Sequence, residues 1–264
     1  MTATLFERDG DAWRPMTAAL AVWHCSIHPA AVAALVAAEV EAFGETQDMP
    51  RLTLQFDLHG PVPEDPLRIR VWGQRRYPHG RFVEGELLSG ERGIGRISGC
   101  VLKENVSWQD GPKPGRPSST HDLAGASFAE LIHASGGPKR LRSDGIEHRA
   151  LVWRSAADER QYGFDLPIDL APGRPLSPTM KLAATAGIAL DLAAHDRFPE
   201  LLGLRKQGLH LHLDVEHVPA PGPFSLSPES RGSNGLHLRS VSSQCKQGDA
   251  WVGSVSAGAR PEAA

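Results

Sequence analysis

The stretch that decides the fold is "GLHLHLDVEHVPAPGPFSLS" (208–227), because it repeats an earlier stretch, "RLTLQFDLHGPVPEDPLRIRV" (51–71). The two align without a gap, so that Leu52 falls on Leu209 and Asp57 on Asp214. Each copy predicts an alternating strand, a proline-rich turn that a strand ladder cannot cross, and a second alternating strand. Two copies at such a long spacing indicate a duplicated domain rather than a solenoid.

The rest of each half follows the same order. The stretches 80–101 and 235–258 each predict two strands joined by a glycine-containing turn. An alanine-rich segment with an early proline precedes each strand block, "HPAAVAALVAAEVEAF" (28–43) and "SPTMKLAATAGIALDLAAH" (177–195). Both segments are apolar almost all round, as is typical of a helix wrapped by a sheet. The sequence therefore predicts an α+β fold with two long central helices, each wrapped by an antiparallel sheet.

The boundary between the halves is marked by composition. "DGPKPGRPSSTHDLAGAS", which begins at residue 110, is rich in Pro, Gly and Ser and is typical of a linker. We predict an N-terminal unit over residues 1–109, a linker over 110–140 and a C-terminal unit over 141–264.

Composition restricts the class of protein without naming a function. The 264 residues are 41% hydrophobic and 22% charged, which is ordinary for a globular protein, and the net charge of −3 gives no reason to expect nucleic acid. We expect neither a signal peptide nor a membrane helix. The three cysteines, Cys25, Cys100 and Cys245, form no CxxC pair and favour reduced thiols in a cytoplasmic protein.

Polar residues alternate with the aliphatic ones in both copies of the repeat. They are Thr53, Gln55, Asp57 and His59 in the first, and His210, His212, Asp214 and Glu216 in the second. Such a face of imidazoles and carboxylates favours proton-transfer chemistry, although one face of a half-exposed sheet is usually polar and solvated. The His-x-His pair with Asp214 is a weaker metal hypothesis, since no third ligand stands at a diagnostic spacing. We expect no metal and no cofactor.

A helix wrapped by an antiparallel sheet, twice in one chain, resembles the tandem hotdog fold of the acyl-CoA thioesterase II-type family. The stretches that carry the resemblance are "HPAA" (28–31), "GPVP" (60–63) and "PLSP" (175–178), which correspond to the openings of the family's two helices and to one turn. The match is best in "PLSPTMKLAATAG". The resemblance covers residues 12–105 and 145–259.

The resemblance implies a site as well as a fold. The strand after each helix is expected to pair with its counterpart across a seam, so that the two polar faces meet at an acyl pocket. The family's helix Asp, strand hydroxyl and last-strand Gln fall here on Gly187, near Gly208 or His210, and on Ala257. Glycine cannot activate water and alanine cannot bind a thioester carbonyl, so the usual hydrolytic residues are replaced.

Other residues are therefore the candidates for chemistry. His28 opens the first helix, where it is a proton donor or only a cap, and Asp191 lies one turn beyond Gly187 on the same helix face. The predicted catalytic residues are His210, His212, Asp57, Asp191 and His28. The predicted substrate-binding residues are His59, Asp214, Gln55 and Gly187.

Three functions stay open. The first is a thioesterase-like hydrolase with rearranged residues, and the second is a cyclase, dehydratase or lyase that works by His/Asp acid–base catalysis. The third is an acyl-binding module without catalysis. The expected partner is a small acyl or polyketide-like substrate, free or carried on coenzyme A or a carrier protein, and the sequence is compatible with a homo-oligomer.

Overall fold

The structure is a computed structural model of the chain, and it describes ten stretches of the sequence. These are residues 2–21, 26–44, 51–77, 80–102, 145–154, 161–197, 209–215, 221–232, 239–247 and 250–259. The linker predicted at 110–140 lies outside them.

Twelve of the described strands form one antiparallel sheet, in the order β1-β2-β4-β5-β6-β3-β11-β14-β13-β12-β8-β7, and β9 and β10 pair separately. The strands are β1 (Phe6–Asp9), β2 (Ala12–Pro15), β3 (Arg51–Leu58), β4 (Leu67–Tyr77), β5 (Gly80–Ser89), β6 (Arg92–Leu102), β7 (Leu151–Arg154), β8 (Tyr162–Asp165), β9 (Asp169–Ala171), β10 (Arg174–Pro175), β11 (Leu209–Val215), β12 (Phe224–Gly232), β13 (Arg239–Gln247) and β14 (Ala250–Ala259).

The repeat in the sequence appears as a symmetric strand order about the β3–β11 pair. Moving outward from it, β6, β5 and β4 lie on one side, and β14, β13 and β12 lie on the other. The antiparallel pairing of β3 with β11 confirms the seam that the resemblance implied. This pairing makes the sheet continuous from one half of the chain to the other.

The described α-helices are α1 (Pro29–Gly44), α2 (Ile146–Arg149) and α3 (Pro178–Arg197), and a short 3-10 helix lies at Thr17–Ala19. Every residue of α1 from Ala30 to Ala38 has no solvent exposure, which explains why the segment is apolar all round. α1 and α3 pack against each other in antiparallel directions, since Ala30 lies at Gly187 and Glu41 lies at Ser177.

Side-chain alternation gives the sheet two different faces. The residues that point toward the helices are buried, among them Leu52, Leu54, Phe56, Leu211, Leu213 and Val215. Their neighbours along the strands point to the opposite face and are partly exposed. We call this opposite face the outer face.

Two further expectations can be checked on the described residues. Cys100 and Cys245 are free thiols, and burial raises the pKa of Cys245 to about 12, while Cys25 lies outside the described residues. None of the helices within the described stretches combines the length and apolar character needed to cross a bilayer.

Candidate functional site

The outer face carries an imidazole–carboxylate pair across the seam. Nδ1 of His210 lies 2.6 Å from Oδ1 of Asp57, and the two side chains are 34% and 32% exposed. The residues are directly opposite each other in the β3–β11 register. A histidine held by a carboxylate on one nitrogen, with its other edge near solvent, can act as a general base.

The repeat gives this pair a symmetric mate. Thr53 and Asp214 are also opposite each other, and the Thr53 hydroxyl donates to Oδ1 of Asp214 over 3.2 Å. Asp57 corresponds to Asp214 in the sequence repeat, and His210 corresponds to Thr53. The two halves therefore hold their aspartates in the same way, with an imidazole at one site and a hydroxyl at the other.

His212 and Gln55 lie opposite each other between these two pairs, and each is the repeat equivalent of the other. The approximate two-fold axis of the sheet therefore passes through this residue pair. Within the described stretches, no three His, Cys, Asp or Glu side chains gather closely enough to hold a metal ion.

A row of alternating charges leads across the outer face to His210. Arg70 forms an ion pair with Glu86 at 3.3 Å, Glu86 is opposite Arg96, and Arg96 is opposite Asp57. Opposite charges in directly facing positions stabilise a sheet, so Arg96 places a favourable positive charge opposite Asp57.

A shallow groove of about 460 Å³ runs beside this row and includes Asp57 and the exposed His59. Trp72 and Glu84 lie along it, and the indole of Trp72 is 42% exposed. The predicted substrate-binding residues on the strands thus share one surface, but it is the outer face. This corrects the expected pocket between the halves, because alternation turns the leucines, not the polar residues, toward the helices.

His28, at the start of α1, is completely buried and used on both ring nitrogens. Nδ1 accepts the backbone N–H of Ala30 over 3.0 Å, and Nε2 lies 3.5 Å from Oε1 of Glu147. The side chains of His28 and Glu147 are 0% and 1% exposed. Since Nδ1 is an acceptor, a neutral His28 carries its proton on Nε2, facing the carboxylate. Two roles were considered for His28, proton donor and helix cap, and this geometry is that of a helix cap.

Gly187 lies where α3 crosses the start of α1. A Cβ atom at this position would come within 2.7 Å of the backbone nitrogen of Ala30. Real Cβ atoms do not approach that closely, so glycine permits the contact between the helices. An aspartate, which the resemblance implies here, has no room.

The start of α3 is capped by a side chain, like the start of α1, but it is partly exposed. The Ser177 hydroxyl accepts the backbone N–H of Met180 over 3.1 Å and so caps the helix. The same hydroxyl donates to the carboxylate of Glu41, 3.1 Å from Oε1 and 3.0 Å from Oε2. Ser177, Thr179 and Glu41 are all partly accessible to solvent.

The surroundings of Glu41 alter its acidity. Burial raises the pKa of the Glu41 carboxyl, and this effect outweighs hydrogen bonds from Ser177 and Thr179 and the nearby charge of Arg174, which lower it. A carboxylate whose pKa is raised holds a proton more tightly, so Glu41 is a stronger base than an ordinary glutamate.

Two predicted positions lie beyond what the structure describes. Asp191 belongs to α3, but its side chain is not among the described ones, and Glu216 falls between described stretches. Conversely, no pattern in the sequence pointed to Glu147 or to the pairing of Glu41 with Ser177. The cap at Ser177 is visible in "PLSP", but only the packing of α1 on α3 shows which carboxylate it meets.

Comparison with solved structures identifies the fold. The chain superposes over its full length on the full length of a candidate thioesterase II from Thermobifida fusca YX, with a TM-score of 0.60 and 16% identity. An acyl-CoA thioesterase II from Mycobacterium marinum aligns with 98% of this chain and 94% of its own, with a TM-score of 0.57 and 12% identity. A protein of unknown function with a hot dog fold from Alicyclobacillus acidocaldarius aligns with 100% of this chain and 97% of its own, with a TM-score of 0.60 and 13% identity.

The chain has the hotdog fold, as in thioesterase II structures, and the resemblance stated from the sequence is confirmed for the fold. No protein-family model matches the sequence, and no curated protein matches it either.

Proposed function

We propose that the protein hydrolyses acyl thioesters, with the reacting group bound where the start of one long helix meets the side of the other. The observation that carries this proposal is the antiparallel packing of α1 and α3, which brings Ala30 against Gly187 and Ser177 against Glu41. The start of a helix carries a partial positive charge from the aligned peptide dipoles, and this charge attracts developing negative charge. A thioester carbonyl gains such charge as water attacks it.

The names of similar structures support the same reaction class. A candidate thioesterase II and an acyl-CoA thioesterase II share this fold, and the substrate of the present chain is then an acyl group carried on coenzyme A or on a carrier protein. The finer architecture is also part of the proposal: two hotdog units, at 1–109 and 141–264, related by the two-fold axis at the seam. The symmetric strand order and the residue repeat support it.

A second candidate function is acid–base catalysis without hydrolysis on the outer face. The 2.6 Å contact between His210 and Asp57 at the edge of a groove favours it. The groove is open and polar, with Glu84, Glu86 and Arg96 along it, and this lining suits a polar ligand better than an acyl chain.

Hydrolysis of acetyl-, hexanoyl- and palmitoyl-coenzyme A by the purified chain tests the first function, with release of the free thiol as the readout. We expect the wild type to hydrolyse at least one of these thioesters. We expect a His210→Ala, His212→Ala double variant to retain this activity. Loss of turnover in that variant would move the reaction to the outer face. The absence of turnover by the wild type on every thioester would refute the proposal.

A further inference from the structure

We infer that Glu41 is the water-activating carboxylate and that the reaction takes place at the start of α3, with Ser177 and Thr179 positioning the carboxylate. This inference rests on the proposed function and names its site. The resemblance implies a carboxylate at Gly187, which lies beside the start of α1. We place the reaction instead at the start of α3.

The first argument is symmetry. His28 and Ser177 each stand immediately before the proline that opens a long helix, and each caps that helix. The position implied for the carboxylate, Gly187, is ten residues beyond Ser177 in α3. Ten residues beyond His28 in α1 is Ala38, and Glu41 lies one helical turn further on the same face. The carboxylate that the resemblance implies at Gly187 of α3 thus has a near-equivalent in α1.

The second argument is space. At the start of α1, α3 already occupies the position that a substrate carbonyl would need, since a Cβ at Gly187 would be 2.7 Å from the nitrogen of Ala30. His28 and Glu147 are 0% and 1% exposed there. At the start of α3, in contrast, Glu41 and Ser177 are each partly exposed to solvent.

The third argument concerns the carboxylates themselves. Glu39 lies on the same helix, but it is 3.3 Å from Nη1 of Arg8 and accepts the indole N–H of Trp13 over 3.1 Å. Glu39 is therefore held as a structural ion pair. Glu41 receives hydroxyl hydrogen bonds instead, and burial raises its pKa, which makes its carboxylate a stronger base toward water.

The reaction balances without any cofactor. Glu41 accepts a proton from water while the water oxygen bonds to the thioester carbonyl carbon. The negative charge that forms on the carbonyl oxygen lies near the positive end of α3. When the tetrahedral intermediate collapses, the C–S bond breaks and the proton passes from Glu41 to the thiolate, which leaves a carboxylic acid and a thiol.

The test compares Glu41→Gln with Glu39→Gln on the thioester that the wild type hydrolyses fastest. The amide introduced by Glu41→Gln keeps an acceptor for the Ser177 hydroxyl, so the fold is retained, which the circular dichroism spectrum and the unfolding midpoint of each variant verify. We expect Glu41→Gln to lower kcat/KM by about 100-fold or more and Glu39→Gln to change it by less than about threefold. Binding of a non-hydrolysable thioether analogue of the same acyl-coenzyme A should be retained by Glu41→Gln.

A pH profile supplies a second readout. The acidic limb of the kcat/KM profile of the wild type should be absent from the residual activity of Glu41→Gln and present in Glu39→Gln. A folded Glu41→Gln protein with wild-type turnover would overturn the assignment of Glu41 while leaving the proposed function intact. A wild type without turnover on any thioester would overturn both, so the two failures are distinguishable.

Discussion

At the start of α1 the capping residue is His28, which lies against Glu147, whereas at the start of α3 the capping residue is Ser177, which lies against Glu41. The first pair is sealed, with 0% and 1% exposure, and the second pair is partly open to solvent. We call these the closed start and the open start. The two helix starts thus differ mainly in their exposure to solvent.

Under the proposed function, the two helix starts separate stability from chemistry. At the closed start, an imidazole uses both nitrogens within the protein, so it has no nitrogen left for a substrate. At the open start, a hydroxyl caps the helix and still donates to the carboxylate of Glu41, a partly exposed residue. The closed start is therefore expected to matter for folding, and the open start for turnover.

The largest effect is expected from Gly187→Asp, which introduces at the closed start the carboxylate that the resemblance implies. We expect the free energy of unfolding to fall by at least about 3 kcal/mol, because the side chain must displace the backbone of Ala30 and bury a charge. Urea denaturation measures the loss. Gly187→Ala is the matched control and should cost about 1–2 kcal/mol, since only one carbon has to be accommodated. A stable Gly187→Asp protein would show that the closed start can open.

The two caps provide the next comparison. We expect His28→Ala to cost about 3 kcal/mol, because it removes a buried ring and leaves the Glu147 carboxyl without its imidazole. Ser177→Ala should cost only about 1 kcal/mol, the ordinary value for a lost helix cap. Urea denaturation of both variants decides the matter, and equal losses would contradict the difference between the two starts.

Much of the fold was accessible from the sequence because the repeat fixes strand register. The matching of Leu52 with Leu209 and of Asp57 with Asp214 predicted equivalent strands, and the polar residues of these strands do face each other across the seam. The direction in which they point was not predicted correctly. Alternation fixes which residues share a face, but only the packed helices determine which face is inside.

The candidate site was harder to predict because it joins residues that are distant in sequence. Ser177 and Glu41 are brought together by helix packing, and so are Gly187 and Ala30. Neither contact follows from periodicity within a single helix. His28 was recognised as a helix-opening residue, but its burial against Glu147 depends on α2, a four-residue helix that no pattern in the sequence had indicated.

The pH dependence of stability gives a smaller test of the open start. The pKa of Glu41 is raised in the folded protein above its ordinary value of 4.5. Its stabilising contribution is therefore fully present below pH 4.5 and is lost as the pH rises through the folded-state pKa. Glu41→Gln should then increase the free energy of unfolding at pH 7, by less than about 1 kcal/mol, and the gain should shrink at pH 4.

Urea denaturation of the wild type and of Glu41→Gln at the two pH values measures this gain, with Glu39→Gln as the control. Glu39 forms an ion pair with Arg8, so its substitution should not stabilise the protein at neutral pH. A gain in stability that accompanies a loss of turnover is the pattern of a functional residue kept at a cost to the fold. A Glu41→Gln protein less stable than the wild type at pH 7 would show that the carboxylate is structural.

The smallest expected effect concerns two residue pairs on the outer face. One is Asp57–His210, and its symmetric mate is Asp214–Thr53. Both contacts are partly exposed, so we expect Asp57→Asn to cost about 0.5–1 kcal/mol and Asp214→Asn only a few tenths. In 1 M NaCl the difference between the two variants should nearly vanish, because salt screens the attraction between Asp57 and Arg96, which is directly opposite it. Thioester hydrolysis should remain within about twofold of the wild type in both, since the sheet separates the outer face from the open start. Loss of hydrolysis in Asp57→Asn on the scale expected for Glu41→Gln would instead place the chemistry on the outer face, and the open start would then be a helix cap with a neighbouring carboxylate.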